Sequence, residues 1–143
     1  MTGVQTCALP ICEVCATFYA WKPEFTPGDR FTGGAAQRAQ GPDSPVYGAL
    51  RAIDPATGEQ KWEFRYISPS TAGLLTTASG LIFSGDGEGN LLGIDSRSGK
   101  LLWHYQMGAV MHGTSPITYM LDGRQHVLVP AGTTLSAWAL PEQ

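Results

Sequence analysis

The sequence has few charged residues and no long hydrophobic run, and each shortage excludes a class of partner. Charged residues make up 15% of the 143 residues, well below the usual quarter. The net charge of −3 indicates no basic surface for nucleic acid or an anionic membrane. No apolar run approaches the roughly 20 residues that span a bilayer as a helix. We therefore expect no nucleic-acid partner and no membrane-spanning segment.

Cysteine is also scarce, and the three cysteines do not indicate a metal site. Cys12 and Cys15 have the C-x-x-C spacing of a zinc or redox pair. A structural zinc site normally needs two more ligands at similarly close spacing, and the chain offers none. The residues that follow Cys15 are typical of a strand, whereas a thioredoxin-like motif would open a helix. We therefore predict no metal site and infer no compartment from these cysteines.

The first eleven residues, MTGVQTCALPI, have neither the basic region nor the apolar region of a signal peptide. They resemble the frame translation of a common sequencing-adapter primer, with a preceding GTG read as the initiator methionine. The alternative is a real N-terminal coil. We expect residues 1–11 to be an adapter-derived scar outside the fold, with the true N-terminus of the protein further upstream.

The rest of the chain divides into an irregular part and a regular part. Residues 12–45 contain one strand-like run, VCATFYAW, and then a Pro- and Gly-rich loop from Lys22 to Pro45. Residues 46–141 alternate short β-rich runs with turn sequences such as PATG, GEGN and SRSG, and residues 142–143 form a tail. Glycine and proline together form about a fifth of the chain, which is typical of all-β proteins with many short strands. No segment has helical periodicity, so we predict an all-β fold.

One eleven-residue phrase occurs twice in the regular part. AIDPATGEQKW runs from Ala52 to Trp62, and GIDSRSGKLLW runs from Gly93 to Trp103, so the two tryptophans are 41 residues apart. A period of roughly 40–45 residues with four short strands per repeat is typical of a β-propeller. Each repeat is then one sheet, or blade, whose faces are covered by neighbouring blades. We therefore predict a partial β-propeller.

The recurring residues of the phrase have structural roles. The aspartate can accept backbone N–H bonds in the turn that follows it, and the glycine closes this turn where a positive φ is needed. The tryptophan lies on the outer strand and places a large flat surface against the adjoining blade. We therefore assign seven residues to a structural docking motif: Ala52, Asp54, Gly58, Trp62, Asp95, Gly99 and Trp103.

The pattern A-x-D-x-x-x-G-x-x-x-W, with Gly93 replacing the alanine in the second copy, resembles the tryptophan-docking motif of the quinoprotein dehydrogenases. These are the pyrroloquinoline quinone (PQQ)-dependent alcohol dehydrogenases of the methanol and ethanol family. FTPGDRFTGG, STAGLLTTASGLIFSGDGEGN and PITYMLDGRQHVLVPAGTTLSAWALP resemble the C-terminal portion of that family in the same order. On this resemblance, which covers roughly residues 12–141, the chain holds something over two blades of an eight-bladed propeller.

The resemblance implies a full-length periplasmic enzyme that uses PQQ and calcium to oxidise primary alcohols to aldehydes. It also implies electron transfer to a cytochrome c or a quinone. In the family, the calcium ligand and the catalytic aspartate come from earlier blades. We therefore expect this chain to contain no catalytic residue and no metal ligand, and to bind neither PQQ nor calcium by itself.

Three residues are the candidates for contact with PQQ on this resemblance. Thr71 stands where the methanol-oxidising members have a tryptophan in the cofactor pocket. Gly132 and Thr133 align with a glycine-containing loop that reaches PQQ in the family, although the loop is shorter here. Each candidate has an ordinary alternative as a strand-entry or hairpin residue. His112, on a connecting loop, has a site role as one interpretation, and a solvated histidine is the favoured one because no carboxylate lies near it in the sequence.

A binding function is the second interpretation of the same pattern. Assembly scaffolds with PQQ-like repeats share the propeller without holding the cofactor, and fold alone does not separate them from enzymes. The long segment KPEFTPGDRFTGG favours the enzyme, because the scaffold propellers have more uniform blades. An intracellular WD-type scaffold is disfavoured, since the Gly-His and Trp-Asp dipeptides of that repeat are missing.

Overall fold

The computed structural model describes residues 7–11, 17–21, 24–28, 31, 34–38 and 48–140, with side chains described in 24–28, 31 and 48–140. These residues belong to two compact units. The smaller is Val14–Val46, and the larger combines Met1–Glu13 with Tyr47–Gln143. The pair Cys12 and Cys15 lies outside the described residues.

The smaller unit contains a two-stranded antiparallel sheet. Strands β2 (Thr17–Trp21) and β3 (Gly34–Arg38) pair along their whole length. The prediction placed a loop across residues 22–45, and the structure differs because β3 lies within that range. The N–H and C=O groups of an extended strand need partners, and the backbone of β3 supplies them to β2.

The larger unit contains three antiparallel sheets, which we number in chain order. The first sheet has the order β1-β4-β5, the second β6-β7-β8-β9 and the third β10-β11-β12. Every regular element in the described residues is a strand, so the predicted all-β fold is confirmed. The strands are β1 (Cys7–Ile11), β4 (Gly48–Ile53), β5 (Gln60–Tyr66), β6 (Leu75–Thr76), β7 (Leu81–Gly85), β8 (Asn90–Asp95), β9 (Leu101–Gln106), β10 (Ile117–Leu121), β11 (Arg124–Ala131) and β12 (Thr134–Ala139).

Strand β1 lies within residues 1–11, which the sequence analysis placed outside the fold. It pairs with β4 from Cys7 opposite Ile53 to Ile11 opposite Ala49. The edge of β4 presents N–H and C=O groups that any extended segment can satisfy. Pairing with β4 is therefore compatible with either origin of the segment, and the adapter origin of residues 1–11 stays a prediction.

The second sheet lies between the other two and packs against both. On β8, Leu91 belongs to an apolar cluster with side chains of the third sheet, whereas Leu92 and Ile94 belong to a cluster with side chains of the first sheet. This division follows from the alternation of side chains along a strand. Complete burial of a Leu or Ile side chain contributes about 1.5–3 kcal/mol. The stacking of sheets through their faces is the arrangement predicted for propeller blades.

The two copies of the repeated motif meet between the first and second sheets. The Trp62 indole of β5 donates from Nε1 to the carbonyl oxygen of Ser96 at 3.0 Å. Its ring lies over Gly99, where an added Cβ would be 2.5 Å from Cε3 of Trp62. Gly99 also has φ 70°, in the left-handed region that L side chains disfavour. The turn of the second copy therefore receives the tryptophan of the first copy.

Trp103, in the second copy of the motif, has different surroundings. Its ring contacts Trp138 of the third sheet with 5.7 Å between centroids, and its exposed fraction is 41%. A cavity of about 540 Å³ lies beside it, lined by residues of the second and third sheets such as Phe83 and Val127. Trp103 therefore packs against the following sheet through a second aromatic ring, in a more open setting than Trp62.

The aspartate of each copy holds its turn together by hydrogen bonds. Asp54 Oδ1 accepts from the Ala56 N–H at 2.9 Å. Asp95 Oδ1 accepts from the N–H groups of Ser98 and Arg97 at 2.9 and 2.8 Å. The hydrogen bonds from Ser98, followed by that from Arg97, hold the pKa of Asp95 below its usual value. The charged form of Asp95 is therefore favoured in the folded turn.

We predict that Gly99→Ala destabilises the protein more than Gly58→Ala. Both glycines have a positive φ, 70° and 72°, so both variants carry the strain of an L residue in that region, about 1–2 kcal/mol. An added Cβ meets nothing within 4 Å at Gly58, but it meets the Trp62 ring at Gly99. Overpacking typically costs a further ~1–3 kcal/mol. Urea unfolding of the two variants measures the difference, and equal losses would contradict the docking contact.

We predict that acid destabilises the wild type more steeply than Asp95→Asn. Because the pKa of Asp95 is lowered on folding, its contribution is present above its unfolded value of about 3.9 and is lost as the pH falls through its folded pKa. Glu63, whose pKa is lowered by Arg65 and Arg51, keeps part of the acid dependence in the variant. Unfolding free energies between about pH 7 and pH 3 test this, and parallel curves would refute it.

Candidate functional site

The connections between strands reach the two opposite ends of the sheets alternately, as antiparallel order requires. We call one end the loop end, and it holds the two longest connections. The other, the motif end, holds tight turns that include the repeated motif. The loop end comprises residues 67–74, 86–89, 107–116 and 132–133, and the motif end comprises residues 54–59, 77–80, 96–100 and 122–123.

Backbone hydrogen bonds join the connections of the loop end to each other. The Gly73 N–H donates to the Thr114 carbonyl at 2.7 Å, and the Gly132 N–H donates to the Val110 carbonyl at 3.2 Å. A third bond, at 2.9 Å, runs from the N–H of Met107 to the carbonyl of Gly89. Residues 107–116 therefore contact all three other connections at this end.

Thr71 contacts a residue for which the sequence analysis favoured no role in the site. Its hydroxyl Oγ1 lies 2.9 Å from Nδ1 of His112, within hydrogen-bond distance. Both side chains are exposed. The pair joins residues 67–74 to residues 107–116 and presents a hydroxyl and an imidazole to solvent at the loop end.

Gly132 and Thr133 form the two-residue turn between β11 and β12. Gly132 has φ 57°, and an added Cβ would lie 2.8 Å from the Ala109 Cβ. The turn is therefore closely packed against residues 107–116. Thr133 is exposed beside it. The structure thus brings all three predicted cofactor neighbours to the loop end, where residues 107–116 lie between Thr71 and this turn.

Beneath this surface, Met111 fixes the connection that carries His112. Its side chain is 3% exposed and belongs to the apolar cluster with Ala72 and Val129. An added Cβ at Gly85 would be 2.8 Å from Met111 Sδ and 3.1 Å from the Ala72 Cβ. This packing leaves no space for a larger residue at position 85. The side chain of His112 is therefore exposed, while the adjacent residue Met111 anchors its backbone in the core.

The docking residues lie at the motif end, away from Thr71. The carboxylates of Asp54 and Asp95 accept the hydrogen bonds of their own turns. Gly99 lies under the Trp62 ring, and Ala52 is fully buried in β4. The geometry therefore separates a repeated structural end from the end that carries the candidate ligand contacts.

The hydroxyl and imidazole side chains of the loop end fit an organic ligand with hydrogen-bond-accepting oxygen atoms better than they fit a metal ion. Within the described part of the chain, no group of three or more His, Cys, Asp or Glu residues could hold a metal. Thr71, Thr133 and His112 offer hydroxyl and imidazole groups, which can donate hydrogen bonds to carbonyl or carboxylate oxygens. Such donors would suit the oxygen atoms of PQQ.

The sequence indicates His112 as a possible site residue but gives it no partner. Its partner Thr71 precedes it by 41 residues, which is also the spacing of the motif tryptophans. The two residues therefore occupy equivalent positions in successive repeats. Applying the repeat period to the candidate Thr71 would have identified His112 from the sequence.

Comparison with known proteins agrees with this fold. A family described as outer membrane protein assembly factor BamB matches residues 46–140. The quinoprotein ethanol dehydrogenase of Pseudomonas aeruginosa is 38% identical over 114 residues, which are 78% of this chain and 18% of that protein. The 1-butanol dehydrogenase (cytochrome c) of Thauera butanivorans is 37% identical over 64% of this chain and 13% of that protein. The chain thus spans less than a fifth of either relative.

A solved structure shows the same fold. The crystal structure of the quinohemoprotein alcohol dehydrogenase from Comamonas testosteroni matches 66% of this chain and 14% of its own, with a TM-score of 0.59 and 36% identity. Among the residues that the structure describes, no helix has the length and apolar character to cross a bilayer. The chain is part of a β-propeller similar to those of the quinoprotein alcohol dehydrogenases, and it belongs to the family described as outer membrane protein assembly factor BamB.

Proposed function

We propose that the chain is the C-terminal part of a PQQ-dependent alcohol dehydrogenase that oxidises primary alcohols to aldehydes. The observation that carries this proposal is the similarity to the quinoprotein ethanol dehydrogenase over most of the chain. The loop end supports it, because the three candidate cofactor neighbours lie there together with the imidazole of His112. The motif residues support the propeller and take no part in the chemistry.

Thr71, Gly132 and Thr133 are the residues that would contact PQQ. The two threonine hydroxyls can donate to its oxygen atoms, and Gly132 is exposed in the same turn as Thr133. When bound, PQQ supplies the acceptor for the two electrons and two protons that an alcohol loses on becoming an aldehyde. Within the full-length protein, this chain would contact the cofactor and orient it from one side.

The full-length protein would also need groups that we place outside the described residues of this chain. We propose a calcium ion, held by residues of other blades, beside the quinone. A periplasmic location and a cytochrome c or quinone as electron acceptor belong to the same proposal. The similarity to a dehydrogenase named for cytochrome c supports that kind of acceptor.

A scaffold is the alternative function, and one observation favours it. The family that matches residues 46–140 is described as an outer membrane protein assembly factor. A propeller of that kind would use its loops to bind other proteins and would hold no quinone. The two proposals therefore differ in whether the full-length protein binds PQQ.

We predict that the full-length protein, recovered by sequencing upstream of this coding region, oxidises ethanol. Purified and supplied with PQQ and calcium, it should reduce a dye acceptor when ethanol is added, because the missing blades bring the catalytic aspartate and the calcium ligands. The matched control is the same preparation without PQQ. Absence of both PQQ binding and dye reduction would favour the scaffold.

We predict that the 143-residue chain by itself neither reduces the dye nor binds PQQ. Exposed apolar side chains on β10 and β12, such as Met120 at 64% and Leu135 at 63%, should also make it prone to aggregate. Light scattering and the same dye assay measure the two properties. Turnover by the purified chain would show that the catalytic groups lie within it.

A further inference from the structure

Among the polar side chains of the loop end, the imidazole of His112 is the one in contact with a candidate cofactor neighbour. It lies 2.9 Å from the Thr71 hydroxyl, through Nδ1. Thr71 and His112 belong to successive repeats and precede β6 and β10, the first strands of their sheets. The contact therefore joins the same position of two neighbouring blades.

The backbone around His112 is fixed on both sides. Met111 before it is buried in the core cluster. After it, the Thr114 carbonyl accepts from the Gly73 N–H at 2.7 Å, and the Thr114 hydroxyl donates to the Pro130 carbonyl at 3.4 Å. The imidazole is thus exposed, while its main chain is held by two neighbouring elements. Such a preorganised group loses little conformational freedom when it binds a ligand.

The hydrogen bond with Thr71 can select the tautomer of the imidazole. When the hydroxyl donates to Nδ1, the ring proton is on Nε2, and this second nitrogen becomes a donor. A quinone that carries carboxylates presents oxygen acceptors and therefore requires donors from the protein. The tautomer with its proton on Nε2 satisfies both Thr71 and such a ligand.

We propose that His112 is a cofactor-binding residue that donates from Nε2 to an oxygen atom of the quinone, with Thr71 as the residue that positions its ring. This inference rests on the proposed function, because it names a further contact in the same site. In this arrangement the single proton of the Thr71 hydroxyl is donated to Nδ1, so Thr71 positions the imidazole and does not itself donate to the quinone. The ligand class is an anionic, planar quinone.

The test measures the Kd of PQQ for the full-length apo-protein by equilibrium dialysis with calcium present. His112→Ala should raise the Kd about 10-fold or more, as expected for loss of a hydrogen bond to a charged ligand. His112→Gln should retain part of the affinity, because its amide nitrogen can donate from a position similar to Nε2. Thr71→Val, which keeps the side-chain size but removes the hydroxyl, should raise the Kd by a smaller factor.

His104→Ala is the matched control, because it removes an exposed histidine from β9 and should leave the Kd unchanged. Circular dichroism and the unfolding temperature check that each variant is folded. A Kd for His112→Ala within about two-fold of a wild type that binds PQQ would overturn the role of His112 alone. A wild type that binds no PQQ would overturn the proposed function, and this inference with it.

Discussion

The contact between the Trp62 indole and the Gly99 turn determines how the first and second sheets of the larger unit pack. The ring needs a residue without a Cβ beneath it, and its N–H needs a carbonyl at the position of Ser96. Asp95 keeps that carbonyl in place, because its carboxylate accepts hydrogen bonds from the same turn. One aspartate, one glycine and one tryptophan thus act together across two repeats, which explains why these residue types recur while their neighbours differ.

The two ends of the sheets differ in the residues they carry. The motif end carries the residues that stabilise the fold, and the loop end carries the candidate ligand contacts. In the two copies of the motif, the aspartate, the glycine and the tryptophan recur, since each copy forms the same turn. At the loop end, the equivalent positions 71 and 112 hold a threonine and a histidine, which contact each other. A rigid set of strands with variable connections is a common way for one fold to carry different functions. The candidate ligand contacts lie where the repeat is free to vary.

Much of the larger unit could be predicted from the sequence. The alternation of short strands and turns over residues 46–141 is predictable, because alternating side chains and turn residues are local properties of the chain. Strand β3 was not anticipated, since GAAQR has no marked alternation and becomes a strand by pairing with β2. Thr71, Gly132 and Thr133 came from a family resemblance. The sequence favours a solvated His112, because its partner Thr71 is 41 residues away.

The sequence by itself determined the repeat, its period and the residues that form each turn, because these depend on neighbouring residues and on hydrogen bonds within a few positions. Only the tertiary structure decided which tryptophan lies on which glycine, and that Thr71 meets His112. Those contacts join residues 34 to 41 positions apart, and they form only when whole sheets stack face to face. The stacking is driven by burial of apolar side chains on both faces of the second sheet, a property of the assembled layers.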